Sequence, residues 1–74
     1  MIEKLDATHL LCPLPVLKAR KRLKSLADGA LLEVRCDDPA AVIDVPHFCN
    51  EGGHALVEMR EDDGVQVYLI RKGG

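Results

Sequence analysis

Tryptophan is absent from this chain, and phenylalanine and tyrosine occur once each. A core must therefore be built from Leu, Val, Ile and Ala, and the aromatic platforms on which single-stranded nucleic acids stack are missing. No apolar run approaches the roughly 20 residues of a membrane-spanning helix. A secretory leader is not expected either, since Glu3, Lys4 and Asp6 interrupt the start of the chain. The sequence has no Cys-x-x-Cys pair, and its three widely spaced cysteines do not form the disulfide framework of a small secreted domain. A reducing, cytoplasmic setting is the expectation. No phosphate-binding glycine loop, Ser/His/Asp arrangement or pair of acid–base carboxylates stands out. A net charge of −2 argues against nucleic-acid binding driven by overall charge.

What is present is ordinary for a globular chain, with 47% apolar and 30% charged residues. Seventy-four residues make one domain, spanning 1–74, near the size at which a single core just suffices. A short first strand is expected over Met1–Ala7. Helix one is expected from Pro13 to Ala27, with Val16, Ala19, Leu23, Leu26 and Ala27 on one apolar stripe and Asp28-Gly29 as its stop. Ala30–Cys36 alternates as a strand with Leu32 and Val34 on one face. Asp37-Asp38-Pro39 opens a second helix, which Pro46 should kink or divide and Gly52-Gly53 should end. Ala55–Glu61 and Val65–Lys72 are the last strands, joined by Glu61-Asp62-Asp63-Gly64 as a hairpin turn. The order β-α-β-α-β-β predicts an α+β, two-layer sandwich with two helices on one face of a mixed four-stranded sheet.

Chemistry concentrates at Cys12-Pro13-Leu14-Pro15. Proline is tolerated in a first helical turn because the N–H groups there lack acceptors, so Pro13 and Pro15 read as first-turn residues, with Cys12 at or next to the N-cap. At that place the helix dipole and unpaired amides, those of Leu14 and Val16 among them, favour a thiolate and lower the thiol pKa. The other reading, a buried core cysteine, fits Cys36 and Cys49 better by their pattern.

Two stretches resemble the TusA/SirA family of small sulfur-carrier proteins. One is Asp6 through Pro15, with the Cys-Pro-x-Pro signature and its leading Asp and Leu. The other runs from Asp37-Asp38-Pro39-Ala40 to Asp44-Val45-Pro46-His47-Phe48-Cys49, and the closing Leu69-Ile70-Arg71-Lys72 is also similar. The resemblance covers nearly the whole chain and implies the same two-layer fold. It implies that Cys12 carries sulfane sulfur as a persulfide. A cysteine desulfurase or rhodanese would be the donor and another relay protein the acceptor, as in tRNA 2-thiolation or other sulfur trafficking. No cofactor is implied, nucleic acid enters only through the partner, and the carrier is expected to be a monomer loaded and unloaded by other proteins. His9 departs from the family pattern, which usually has Gly there, in a backbone conformation costly for His.

Lys18, Arg20, Lys21, Arg22 and Lys24 lie on helix one without an intervening acid. They form either a solvated face or a docking surface for an acidic partner. Leu14 and Leu17 fall among the basic positions within about one turn of Cys12, where exposed leucines suit a transient protein contact. Leu14, Leu17, Lys18, Lys21 and Arg22 are therefore the partner-binding candidates, and packing of both leucines under the Thr8–Leu11 loop is the alternative. The basic helix leaves a second function open, a nucleic-acid or regulatory binding module. A third rests on Gly73-Gly74, the ending of ubiquitin-like carriers that hold sulfur as a terminal thiocarboxylate, although a frayed tail looks the same. Zinc is disfavoured, because His47 and Cys49 lie closest together but the sequence has no Cys-x-x-Cys or His-x-x-x-His ligand pair.

Overall fold

Strand alternation decides which face of the sheet is covered. The computed structural model describes residues 2–73, so expectations for Met1 and Gly74 fall outside it. The elements are β1 (Ile2–Asp6), α1 (Leu14–Lys24), β2 (Leu31–Cys36), α2 (Ala41–Gly52), β3 (Ala55–Asp62) and β4 (Val65–Arg71). They form one mixed sheet in the order β1-β2-β4-β3. β1 runs parallel to β2, and β4 lies antiparallel to both of its neighbours. Leu32, Val34 and Cys36 of β2 stand opposite Ile70, Tyr68 and Gln66 of β4 and share their face. This face meets both helices through Ala19 and Leu23 of α1 and Ala41, Val45 and Cys49 of α2. The expected two-layer architecture is the one observed.

Helix limits differ from the expectation at both ends of α1. Leu14 donates its N–H to the Leu11 carbonyl at 2.9 Å, closing a turn whose corner is Cys12-Pro13. The first helical bond runs from Leu17 to the Pro13 carbonyl at 3.1 Å, so Pro13 is the N-cap, joined to Cys12 by a cis peptide bond. Cys12 therefore lies next to the N-cap, one of the two positions expected for it, and outside the helix. Pro15 is in the first turn as expected, and buried. The helix stops at Lys24 because Ser25 turns back on Arg22, its N–H bonding the carbonyl at 3.1 Å and its hydroxyl at 2.7 Å. Ala27 thus lies beyond the helix and is exposed, outside the stripe assigned to it.

α2 runs unbroken through Pro46. The ring removes only the bond that would have reached the carbonyl of Val42, a residue 49% exposed and open to water. Of the two outcomes expected from the proline, a kink or a division, division does not occur. The β3–β4 hairpin turns at Asp63 and Gly64, both at positive φ (54° and 81°), as the Asp-Gly pair predicts.

Among the described residues, the chain after β4 is held as far as Gly73. Lys72 donates its N–H to Ala30 and its Nζ to the Leu26 carbonyl, at 2.8 and 2.6 Å. Gly73 donates its N–H to His54 Nδ1 at 3.0 Å, and a Cβ on Gly73 would lie 1.7 Å from the Gly53 carbonyl oxygen.

Candidate functional site

Two aspartates that end β2 build the loop bearing the thiol. Asp37 receives the His9 N–H on both carboxylate oxygens, at 2.9 and 3.1 Å. Asp38 receives the Cys12 N–H at 2.6 Å. Between them the chain passes through His9 at φ 65°, the left-handed conformation anticipated for the family's glycine. The loop starts from a short turn in which Thr8 donates both its N–H and its hydroxyl to Asp6, at 3.0 and 2.6 Å. That pair of bonds holds the Asp6 carboxyl below its usual range.

Cys12 is exposed, whereas Cys36 and Cys49 are buried, and all three are free thiols. Its sulfur donates to Asp44 Oδ2 at 2.6 Å, across from the first turn of α2. A cleft of about 330 Å³ opens beside it, with Cys12, Pro13 and Val16 on one wall and Asp44, His47, Phe48 and Glu51 on the other. The expected lowering of the thiol pKa is overturned. The Asp44 hydrogen bond, then desolvation, then the charges of Asp44 and Asp38 push the Cys12 thiol above its ordinary value. The reason is placement: Cys12 stands ahead of the helix, the Leu14 amide is spent on Leu11, and the group facing the sulfur is a carboxylate.

The other candidates divide between two sides of α1. Leu14 and Leu17 are exposed by 46% and 48%, and Leu11 on the adjoining loop by 72%. Neither helical leucine is packed away under the loop. Lys18, Lys21 and Arg22 turn toward β1, where with Leu5 and Ser25 they line a shallow groove separate from the thiol cleft. Arg22 is moreover engaged, donating to Glu3 at 2.9 Å and to the Lys4 carbonyl at 3.2 Å. Arg20 and Lys24 face the opposite groove, with Phe48, His54 and Lys72. The basic face is thus two separate surfaces, and none of its cations lines the cleft at Cys12.

Sequence reasoning did not assign Asp44 a role. Its only signal was membership of the Asp37–Cys49 stretch, and its pairing with Cys12 spans 32 positions of the chain. His47 and Cys49, the His/Cys pair nearest in sequence, face apart, since Cys49 is buried and His47 exposed. No helix among the described residues is long and apolar enough to cross a membrane.

Known proteins match this chain over nearly all of its length. The family model described as Sulfurtransferase TusA matches residues 3–72. The Sulfur carrier protein TusA of Pseudomonas putida is 47% identical over 68 residues, covering 92% of this chain and 85% of that protein. Its counterpart in Pseudomonas aeruginosa is also 47% identical over 68 residues, covering 92% of this chain and 86% of the relative. The crystal structure of the SirA-like protein from Desulfitobacterium hafniense superimposes with a TM-score of 0.84 at 29% identity, covering all of both chains. With its whole fold and the region around its exposed thiol inside that match, this chain belongs to the TusA family.

Proposed function

We propose that this protein is a sulfur carrier that takes up sulfane sulfur as a persulfide on Cys12 and hands it to an acceptor protein. The observation that carries this reading is that Cys12 alone of the three cysteines is exposed, at the mouth of a cleft, in a chain 47% identical to sulfur carrier proteins. Thiolate attack on a donor's outer sulfur forms the Cys12 persulfide, and attack on that outer sulfur by an acceptor thiol unloads it. Both steps need open approach to the sulfur and no deep substrate pocket.

Leu11, Leu14 and Leu17 form an apolar border beside the thiol, suited to a transient protein contact, with Lys18 and Lys21 on its flank. The donor is a cysteine desulfurase or rhodanese, the acceptor a relay protein, and the setting the cytoplasm, with tRNA thiolation one of the pathways such a relay serves. Mass spectrometry after incubation with a desulfurase and cysteine tests the reading. Wild type gains one sulfur atom and Cys12→Ser gains none; labelling confined to Cys36 or Cys49 rejects it.

A further inference from the structure

The contact between Cys12 and Asp44 depends on the state of the sulfur. A carboxylate only accepts hydrogen bonds, so the 2.6 Å approach of Sγ to Oδ2 requires a proton on the sulfur. The empty thiol meets that requirement. A persulfide does not: its inner sulfur carries no hydrogen, and its terminal sulfur is more acidic than a thiol and is anionic near neutral pH. We propose that Asp44 is a load sensor, holding the empty Cys12 thiol in the cleft and expelling the loaded persulfide toward the acceptor. This rests on the persulfide reading of Cys12.

The surroundings give the expulsion its direction. Asp44 and Asp38 both line the narrow space beneath the sulfur, together with Pro15, Val16 and Ala41. Asp38 also fixes the backbone of Cys12, so the main chain stays while the side chain moves. On the α2 wall the further ionisable groups are Glu51 and His47, which pair with each other at 3.5 Å. No Lys or Arg lines the cleft to neutralise a second anion. An anionic outer sulfur in this space meets two carboxylates, and the open side of the cleft is its way out.

The exchange is balanced without an added oxidant or reductant. Cys12 gives up its proton, and its sulfur attacks the outer sulfur of a donor persulfide. A new S–S bond forms on Cys12 as the donor's S–S bond breaks, and the electron pair stays on the donor's inner sulfur, which takes up a proton. Asp44 favours the empty side of this exchange twice, by bonding the thiol and by repelling the persulfide anion.

Equilibration of the loaded protein with glutathione, read as the fraction of Cys12 bearing an extra sulfur by mass spectrometry, tests the proposal. The near-isosteric Asp44→Asn shifts the partition several-fold toward the loaded protein, and the pH midpoint of Cys12 alkylation moves down. If wild type takes up sulfur and the Asn variant partitions equally or toward the empty form, the sensor is rejected and the carrier reading stands. Should wild type take up no sulfur on Cys12, both fall. A second measurement needs no variant. In the wild-type protein the Asp44 carboxyl carbon resonance shows an alkaline step from Cys12 ionisation when empty and loses it when loaded; a step unchanged by loading, or absent when empty, overturns the proposal.

Discussion

Asp38 Oδ2 accepts the backbone N–H of Cys12 at 2.6 Å, so a residue just beyond β2 sets the position of the exposed sulfur. Its other oxygen accepts the Ala40 N–H at 3.1 Å at the entrance to α2, and its carbonyl receives Gln66 Nε2 at 3.2 Å. Asp38→Ala removes both side-chain bonds and is expected to cost about 1–3 kcal/mol of stability in urea titration. Sulfur loading of Cys12 in the same variant should slow, because its loop is no longer tied to the sheet.

Beneath Asp38 lies a buried polar relay. Tyr68 donates its hydroxyl to Gln66 Oε1 at 2.7 Å, and Gln66 is only 4% exposed. Tyr68→Phe leaves that amide oxygen without its partner and is expected to destabilise the fold by about 1–2 kcal/mol. Denaturant unfolding measures the loss; a neutral result would mean that the oxygen finds another donor.

His9 holds a left-handed backbone at φ 65° while its side chain is exposed and meets Asp37 at 3.7 Å. His9→Gly relieves the steric cost of that conformation, and a gain of about 1 kcal/mol is expected, since an exposed ion pair offsets little. His9→Val should lose stability. Thermal melts of the two variants moving in the same direction would refute backbone strain at this position.

Gly73 has no room for a Cβ beside the Gly53 carbonyl. Gly73→Ala must therefore break its bond to His54 and is expected to cost about 1–2 kcal/mol. Deleting residues 73 and 74 should weaken the fold similarly and leave sulfur loading on Cys12 intact. Loss of all loading in a folded deletion variant would instead favour a terminal thiocarboxylate.

Burial raises the thiols of Cys36 and Cys49 from 9.0 to about 11 and the Tyr68 hydroxyl from 10.0 to about 12. All three are neutral when protonated, so the folded chain keeps protons that the unfolded chain releases first. Their contribution is complete below pH 9.0 and is lost as the pH rises to about 11 and beyond. Urea midpoints should accordingly fall across that alkaline range, with a shallower fall in Cys49→Ala.

The fold was readable where the signal is local. Leu32, Val34 and Cys36 alternate within six residues of β2, and Asp63-Gly64 names its own turn. Continuity of α2 through Pro46 was not readable, because the cost of the proline depends on the exposure of the carbonyl it strands. At the site, the thiol and its prolines were visible in one tetrapeptide. Asp44 was not, and it reverses the expected direction of the Cys12 pKa shift from 32 positions away. Arg22 looked free among the basic residues until β1 brought Glu3 beside it. At the site, contacts made by tertiary packing between distant segments account for the misses.

If Cys12 carries a persulfide as proposed, the burial of Cys36 and Cys49 also protects that cargo. A second thiolate within the same chain could attack the inner sulfur of a Cys12 persulfide, close a disulfide and discharge the outer sulfur as hydrosulfide. Here the two remaining thiols are shut in the core and kept protonated by desolvation. On that reading the chain holds no exposed second thiol to discharge Cys12, and release of the sulfur would wait on a thiol brought from outside.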